Sequence, residues 1–230
     1  MNIICAQPGF TGDEIAAIER VLPQFPVRDS ALIKCALTTG LRISSILAVT
    51  CGRVWADGDV RRNMVIPRRD QKNGKSGHQC SVHTQVIPLC DELRALIRLA
   101  LFERYGSGSP VSAAPLFISR EGHRLSRRQA THRLKQVMLA AGMRDRVGYG
   151  WHSCRRWFAR TAYSTAVTGH DIMAVSRLLS HTSVVPTLRY LRLEEGTLNL
   201  AYAGVAAQLA GVGQGVSPTE NPACAKLREN

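Results

Sequence analysis

The chain has 230 residues, 45% of them hydrophobic, which is enough to build one large domain with a true core and excludes a disordered polyelectrolyte. Lys and Arg number 30 against 17 Asp and Glu, a net charge of +13 that points to a polyanionic partner, nucleic acid above all. Seven scattered cysteines, none in a C-x-x-C pair, support neither a disulfide framework nor a zinc site. No apolar run approaches the eighteen residues of a membrane span, and Met1 to Phe10 lacks a basic leader.

Thr11 followed by Glu14, with Phe10 set to pack on Ile15, forms a capping box with a hydrophobic staple and predicts a helix to about Leu22, closed by Pro23 and Pro26. A second helix is expected from Arg28 through Leu37, with Ala31, Leu32, Cys35 and Ala36 on one face and a stop near Thr39-Gly40. Ile43, Ile46 and Leu47 then resume helical spacing, so Arg42 falls at a helix N-terminus.

Between Trp55 and Leu89 the period changes. Asp57-Gly58 and Asn73-Gly74 are turn dipeptides flanking strand-favouring runs, which predicts a small antiparallel sheet of three strands. The second turn carries Lys72 and Lys75 on its tip. A helix is expected over Asp91 to Tyr105, with Leu93, Leu96, Ile97, Ala100 and Leu101 facing inward, followed by a surface loop through Gly106 to Pro115. Leu116 to Ile118 reads as a short buried segment. Ser126 opens a helix to about Ala141 that buries Leu134, Val137 and Met138 and leaves Arg127, Arg128, Arg133 and Lys135 as a basic surface.

Trp151 opens the next helix, on which His152 and Arg155 stand three residues apart and share a face. Metal ligation there is disfavoured, because no third ligand lies one turn on. A short helix over Asp171 to Leu179 leads to Leu-Leu-Ser-His, and Tyr190 follows His181 by nine residues. On one continuous helix that spacing sets two side chains on opposite sides, so they converge only if the chain turns between them. Thr182 and Ser183 are capping types, and Pro186 is tolerated in a first helical turn, which predicts that turn and a new short helix bearing Tyr190. Leu198, Tyr202, Val205 and Leu209 predict a terminal amphipathic helix that must find a groove in this subunit or another. The expected organisation is an extension over 1–10, one domain over 11–210 and a disordered tail over 211–230.

Arg42 after Gly-Leu, a lysine on a hairpin tip, His152-x-x-Arg155 and His181 with Tyr190 nine residues later resemble, in order and spacing, the catalytic domain of the tyrosine recombinases, the phage-integrase family. The resemblance runs from about Thr11 to Arg192 and implies a mainly α fold with a small antiparallel sheet. It further implies DNA strand cleavage and rejoining through a 3′-phosphotyrosine, with neither ATP nor metal. Arg42 and Arg155 match the family's arginines, His152 and His181 its histidine positions, Lys72 its hairpin general acid with Lys75 as the rival, and Tyr190 its nucleophile. Duplex DNA, contacted also by Lys75, Arg127 and Arg128, is the implied partner. The implied assembly is a tetramer on DNA that exchanges its C-terminal helix between protomers, monomeric without DNA, in the cytoplasm at the nucleoid.

Two positions depart from the family pattern: Ser45 stands where Glu or Asp is usual, and Ser180 where glycine commonly precedes the histidine. Few residues precede the first helix, where most members carry a DNA-clamping domain, as if this were a shortened or naturally short member resembling the fimbrial phase-variation recombinases. Two other functions share these features, a type IB topoisomerase-like nicking and closing enzyme and a non-catalytic DNA-binding accessory protein.

Overall fold

The computed structural model describes residues 9–70, 84–143, 147–165, 171–181 and 184–191, apart from the side chains of Arg69, Arg189 and Tyr190. All of these lie in the first of two units, Met1–Leu191; the second, Arg192–Asn230, falls outside the described residues, as do the hairpin tip with Lys72 and Lys75 and the expected terminal helix.

Helix α1 (Gly12–Val21) starts at the expected capping box. The Thr11 hydroxyl accepts from the Glu14 N–H at 3.2 Å, and the Glu14 carboxylate accepts from the Thr11 N–H at 2.9 Å. Pro23 sits in a single 3-10 turn, and Pro26 caps α2 (Val27–Thr39). Every residue from Asp29 to Leu37 is buried, so α2 is the central rod of the fold and packs against α4 (Asp91–Tyr105) and α6 (Trp151–Ser164). Its one lysine, Lys34, reaches the Glu19 carboxylate at 2.8 Å and that of Glu92 at 2.7 Å, tying α1, α2 and α4 together. Burial alone would lower the Lys34 pKa, but the two carboxylates outweigh it and hold the ammonium above its ordinary value.

The antiparallel pairing expected between Trp55 and Leu89 is present, but the described residues form two two-stranded ladders rather than one three-stranded sheet. Strand β1 (Trp55–Ala56) pairs with β2 (Asp59–Val60) around Asp57-Gly58, whose φ values of 52° and 79° are those of a primed hairpin turn. Strand β3 (Asn63–Ile66) pairs with β4 (Gln85–Pro88), Asn63 opposite Pro88 and Ile66 opposite Gln85. Between β2 and β3 the chain changes partners: the Arg61 N–H donates to Val54 O at 2.7 Å, whereas Arg62 O accepts from the Leu89 N–H at 2.8 Å. That change divides the sheet.

The remaining helices are α3 (Ile43–Leu47), α5 (Arg127–Ala140), α7 (Ile172–Leu178) and α8 (Val185–Leu191). Ser126 and Gln129 form the capping box of α5. Pro186 lies in the first turn of α8, as the sequence requires. The side chains bury into two apolar clusters. The larger gathers residues from Phe10 to Cys154, and the smaller joins Ala159, Val175, Leu179 and Leu191, with Phe158 and Ile172 packed on it. Helix α6 enters both, through Trp151 and Cys154 at one end and Ala159 at the other. Among the described residues no helix is long and apolar enough to cross a membrane.

Gly40, the C-cap of α2, has a φ of 60° and faces Phe158 so closely that a Cβ would stand 2.2 Å from the ring. Both backbone conformation and space demand glycine. Gly40→Ala is expected to lower unfolding free energy by roughly 2–4 kcal/mol, summing a left-handed penalty and overpacking. Urea titration measures this, and a loss under about 0.5 kcal/mol would mean that α2 and α6 do not approach in this way.

Candidate active site

Arg155 is 3% exposed and reaches three groups. One Nη donates to the carbonyl of Gly40 at the end of α2; the other donates to the carbonyl of Leu179, the C-cap of α7, at 2.6 Å and lies 3.1 Å from His181 Nε2. A helix's C-terminal carbonyls lack intrahelical donors and form the negative end of its dipole. One guanidinium therefore closes the ends of two helices and meets the imidazole just beyond the second.

The predicted break between His181 and Tyr190 is present. Helix α7 ends at Leu178, Ser180 turns the chain with a φ of 48°, and the His181 N–H donates to Ser176 O at 3.0 Å. His181 Nδ1 lies 2.8 Å from Oγ1 of Thr187, a wholly buried residue of α8, the helix that contains Tyr190 in its sequence.

Arg42 is the N-cap of α3, directly beyond the Gly40 turn. Its charge acts on both histidines. His181 is pushed down to about 4, first by burial and then by Arg155 and Arg42. His152, at the start of α6 with its side chain exposed, is also lowered, by partial removal from water and then by Arg155, Arg127, Arg42 and Arg156. Arg155 and Arg42 act on both rings, so Arg42, His152, Arg155 and His181 share one positive field that adds to burial in lowering both imidazoles. Such a site suits an anion.

Arg127 was expected on a general basic surface, and α5 brings it beside His152. The link is local: Trp151 Nε1 donates to Thr131 Oγ1 at 3.2 Å, while the Thr131 hydroxyl donates to Arg127 O. Arg127 and Arg128 line an open cleft of about 470 Å³ with Thr131, His132 and Lys135. Lys72 and Lys75 lie outside the described residues, as does the side chain of Tyr190. Among the described residues no three His, Cys, Asp or Glu side chains are grouped to hold a metal ion.

Three contributions escaped the sequence reading. Ser45, at the family's usual acidic position, is buried and donates to the carbonyl of Asp70 at 3.0 Å, where the chain enters the hairpin. The Asp70 carboxylate pairs with Arg53. Ser45 therefore ties the helix behind Arg42 to the root of the segment bearing Lys72. Thr187 and Gly40 are the others; for Thr187 a signal existed, since it stands three residues before Tyr190 and shares its helix face.

The chain matches the Phage integrase family over residues 9–196. It is 30% identical to the tyrosine recombinase XerC of Roseiflexus castenholzii over 177 residues, 77% of this chain and 51% of that protein. To XerC of Chromobacterium violaceum it is 27% identical over 181 residues, 79% of this chain and 53% of the relative. The chain thus spans about half the length of these curated relatives. Among solved structures, a XerA recombinase superposes with a TM-score of 0.64 at 17% identity, covering 89% of this chain and 65% of that one. A XerH site-specific recombinase bound to a palindromic difH substrate, in a post-cleavage complex, gives 0.64 at 21% identity, with 86% and 53% covered. At these identities the likeness is one of fold.

Two measurable consequences follow from the site's geometry. Ser180 holds a left-handed backbone that costs a side chain about 1 kcal/mol, so Ser180→Gly should raise unfolding free energy by about that amount in urea titration, and a loss would contradict the turn. Both histidines bind protons less readily folded than unfolded. As pH falls from the ordinary 6.5 toward about 4, the unfolded chain takes up protons that the fold refuses, so stability present at neutral pH is lost across that window. Between pH 7 and pH 5, His181 should account for roughly 1–2 kcal/mol of that loss. His181→Gln should flatten the fall in urea midpoint; an unchanged fall would show that the ring is not held neutral.

Proposed function

The chain belongs to the phage integrase family, the tyrosine recombinases, and on that premise we propose that it is a site-specific DNA recombinase that breaks and rejoins strands through a covalent phosphotyrosine at Tyr190. What supports this reading is the convergence of Arg155, His181, Arg42 and His152 in one positive field, with His181 hydrogen-bonded to the helix that contains Tyr190.

A phosphodiester resists attack because its oxygens are negative and the departing alkoxide is a poor leaving group. Arg42 and Arg155 neutralise the charge that grows on the non-bridging oxygens of the pentacoordinate transition state, and His152 donates a further hydrogen bond. The Tyr190 oxygen forms a bond to phosphorus as the bond to the 5′ oxygen breaks. A neutral His181 takes the phenol's proton, needed because an unperturbed tyrosine has a pKa of about 10. The hairpin lysine, Lys72 or Lys75, protonates the leaving 5′ oxygen. The 3′-phosphotyrosine conserves the energy of the broken bond, so a 5′ hydroxyl from another strand reverses the step without ATP or metal.

Duplex DNA is the substrate in this reading, and the basic cleft of Arg127, Arg128 and Lys135 beside His152 receives its backbone. Recombination engages two duplexes in a tetramer, held through the segment after Arg192.

Nicked DNA should trap a detergent-resistant protein adduct that disappears in Tyr190→Phe and survives chelator. Arg42→Ala should lower adduct formation by about a hundredfold or more, as expected for a donor to the transition-state oxygens. An adduct without recombinant product would mark a nicking and closing enzyme, and DNA binding with no adduct on any substrate would mark an accessory binder.

A further inference from the structure

We propose that Thr187 is a positioning residue that fixes the tautomer of His181 and thereby couples the docking of the Tyr190 helix to the chemical state of the site. The inference deepens the strand-cleavage reading and rests on it for its consequence, although its geometry stands independently.

An arginine side chain has only N–H groups, so the 3.1 Å approach of Arg155 to His181 Nε2 requires that nitrogen to present its lone pair. A neutral imidazole with an unprotonated Nε2 carries its proton on Nδ1. That proton points to the Thr187 hydroxyl oxygen 2.8 Å away, in a position that is 0% exposed. Burial matters because water is excluded from replacing the hydroxyl as acceptor. The His181 backbone is itself tied to Ser176 O in α7, so the ring cannot freely follow if α8 withdraws.

Thr187 lies one helical turn before Tyr190 on α8. The group that selects the tautomer is therefore on the same short rigid rod as the nucleophile. When that rod is docked, Nδ1 keeps its proton and Nε2 presents its lone pair, which Arg155 holds until the guanidinium turns to the phosphate and the phenol's proton takes its place. When the rod leaves, Nδ1 loses the Thr187 oxygen as its acceptor. Proton acceptor and nucleophile are then armed together.

The test uses the full chain and two variants, Thr187→Val, which keeps the shape and removes the oxygen, and Thr187→Ser, which keeps the oxygen. Nitrogen-15 spectra of the His181 ring, assigned with His181→Gln, report the tautomer without any turnover. The wild type and Thr187→Ser should show a proton on Nδ1; Thr187→Val should show Nε2–H or a mixture. On nicked DNA, adduct formation in Thr187→Val should slow by roughly 10- to 100-fold with DNA affinity unchanged, and Thr187→Ser should restore most of it. A wild-type ring protonated on Nε2, or an unaltered Nδ1–H ring in Thr187→Val, would overturn the proposal. If the wild type forms no adduct, the strand-cleavage reading falls, and the ring spectra still decide whether Thr187 sets the tautomer.

Discussion

The fold depends on one guanidinium. Arg155 lies in α6, the only described helix that enters both apolar clusters, and its two terminal nitrogens close the carbonyl ends of α2 and α7. Those helices otherwise belong to different cores: α2 is the rod of the large one, while α7 supplies Val175 and Leu179 to the small one. A hydrogen bond from a charged donor to a buried carbonyl is worth roughly twice a neutral one, and the negative helix ends add to it. The small cluster has few side chains of its own, and this link adds to the packing of α7 and α8 on α6. Gly40 makes the link possible, because any side chain there would push Phe158 and the following turn of α6 away.

The same contact creates the site's electrostatic character. Arg155, buried among carbonyls, and Arg42 act together on the two histidines, and their positive field adds to burial in lowering both imidazole pKa values. Neutral imidazoles can serve as hydrogen-bond donors and proton acceptors, whereas imidazolium ions could only donate. In the proposed mechanism a phosphodiester supplies the negative charge that balances this field. At the position where the family usually has a carboxylate stands Ser45. Its hydroxyl supports the hairpin root through a backbone carbonyl and adds no charge.

Features set by neighbours in sequence were legible. The capping box of α1, the opening of α5 at Ser126, the limits of α4, the place of Arg42 at a helix start and the break that Pro186 marks before α8 all follow from residues within one turn of each other. Features set across the chain were not. Arg155 and Gly40 meet from 115 residues apart, and no local pattern announces the contact. The division of the sheet hinges on Arg61 and Arg62 bonding to different partners, Val54 and Leu89, which strand propensity does not encode. Ser180 was noted only as a replacement for the family's usual glycine, and the left-handed turn it makes, with φ 48°, was not read from it. The candidate site residues were named because the resemblance ordered them; spacing alone supplied only the face shared by His152 and Arg155 and the need for a turn before Tyr190.

The central claim is that Arg42, His152, Arg155 and His181 surround one phosphorus atom that Tyr190 attacks. The most direct measurement is a crystal structure of the protein with orthovanadate joining the two ends of a nicked duplex, since vanadium adopts the trigonal bipyramid of the transition state. Vanadium is expected to be bonded apically to the Tyr190 oxygen, with Arg42, Arg155 and His152 donating to the equatorial oxygens and His181 Nε2 beside the phenol oxygen. Vanadate bound away from these side chains, or Tyr190 outside bonding distance with α8 docked on His181, would contradict it.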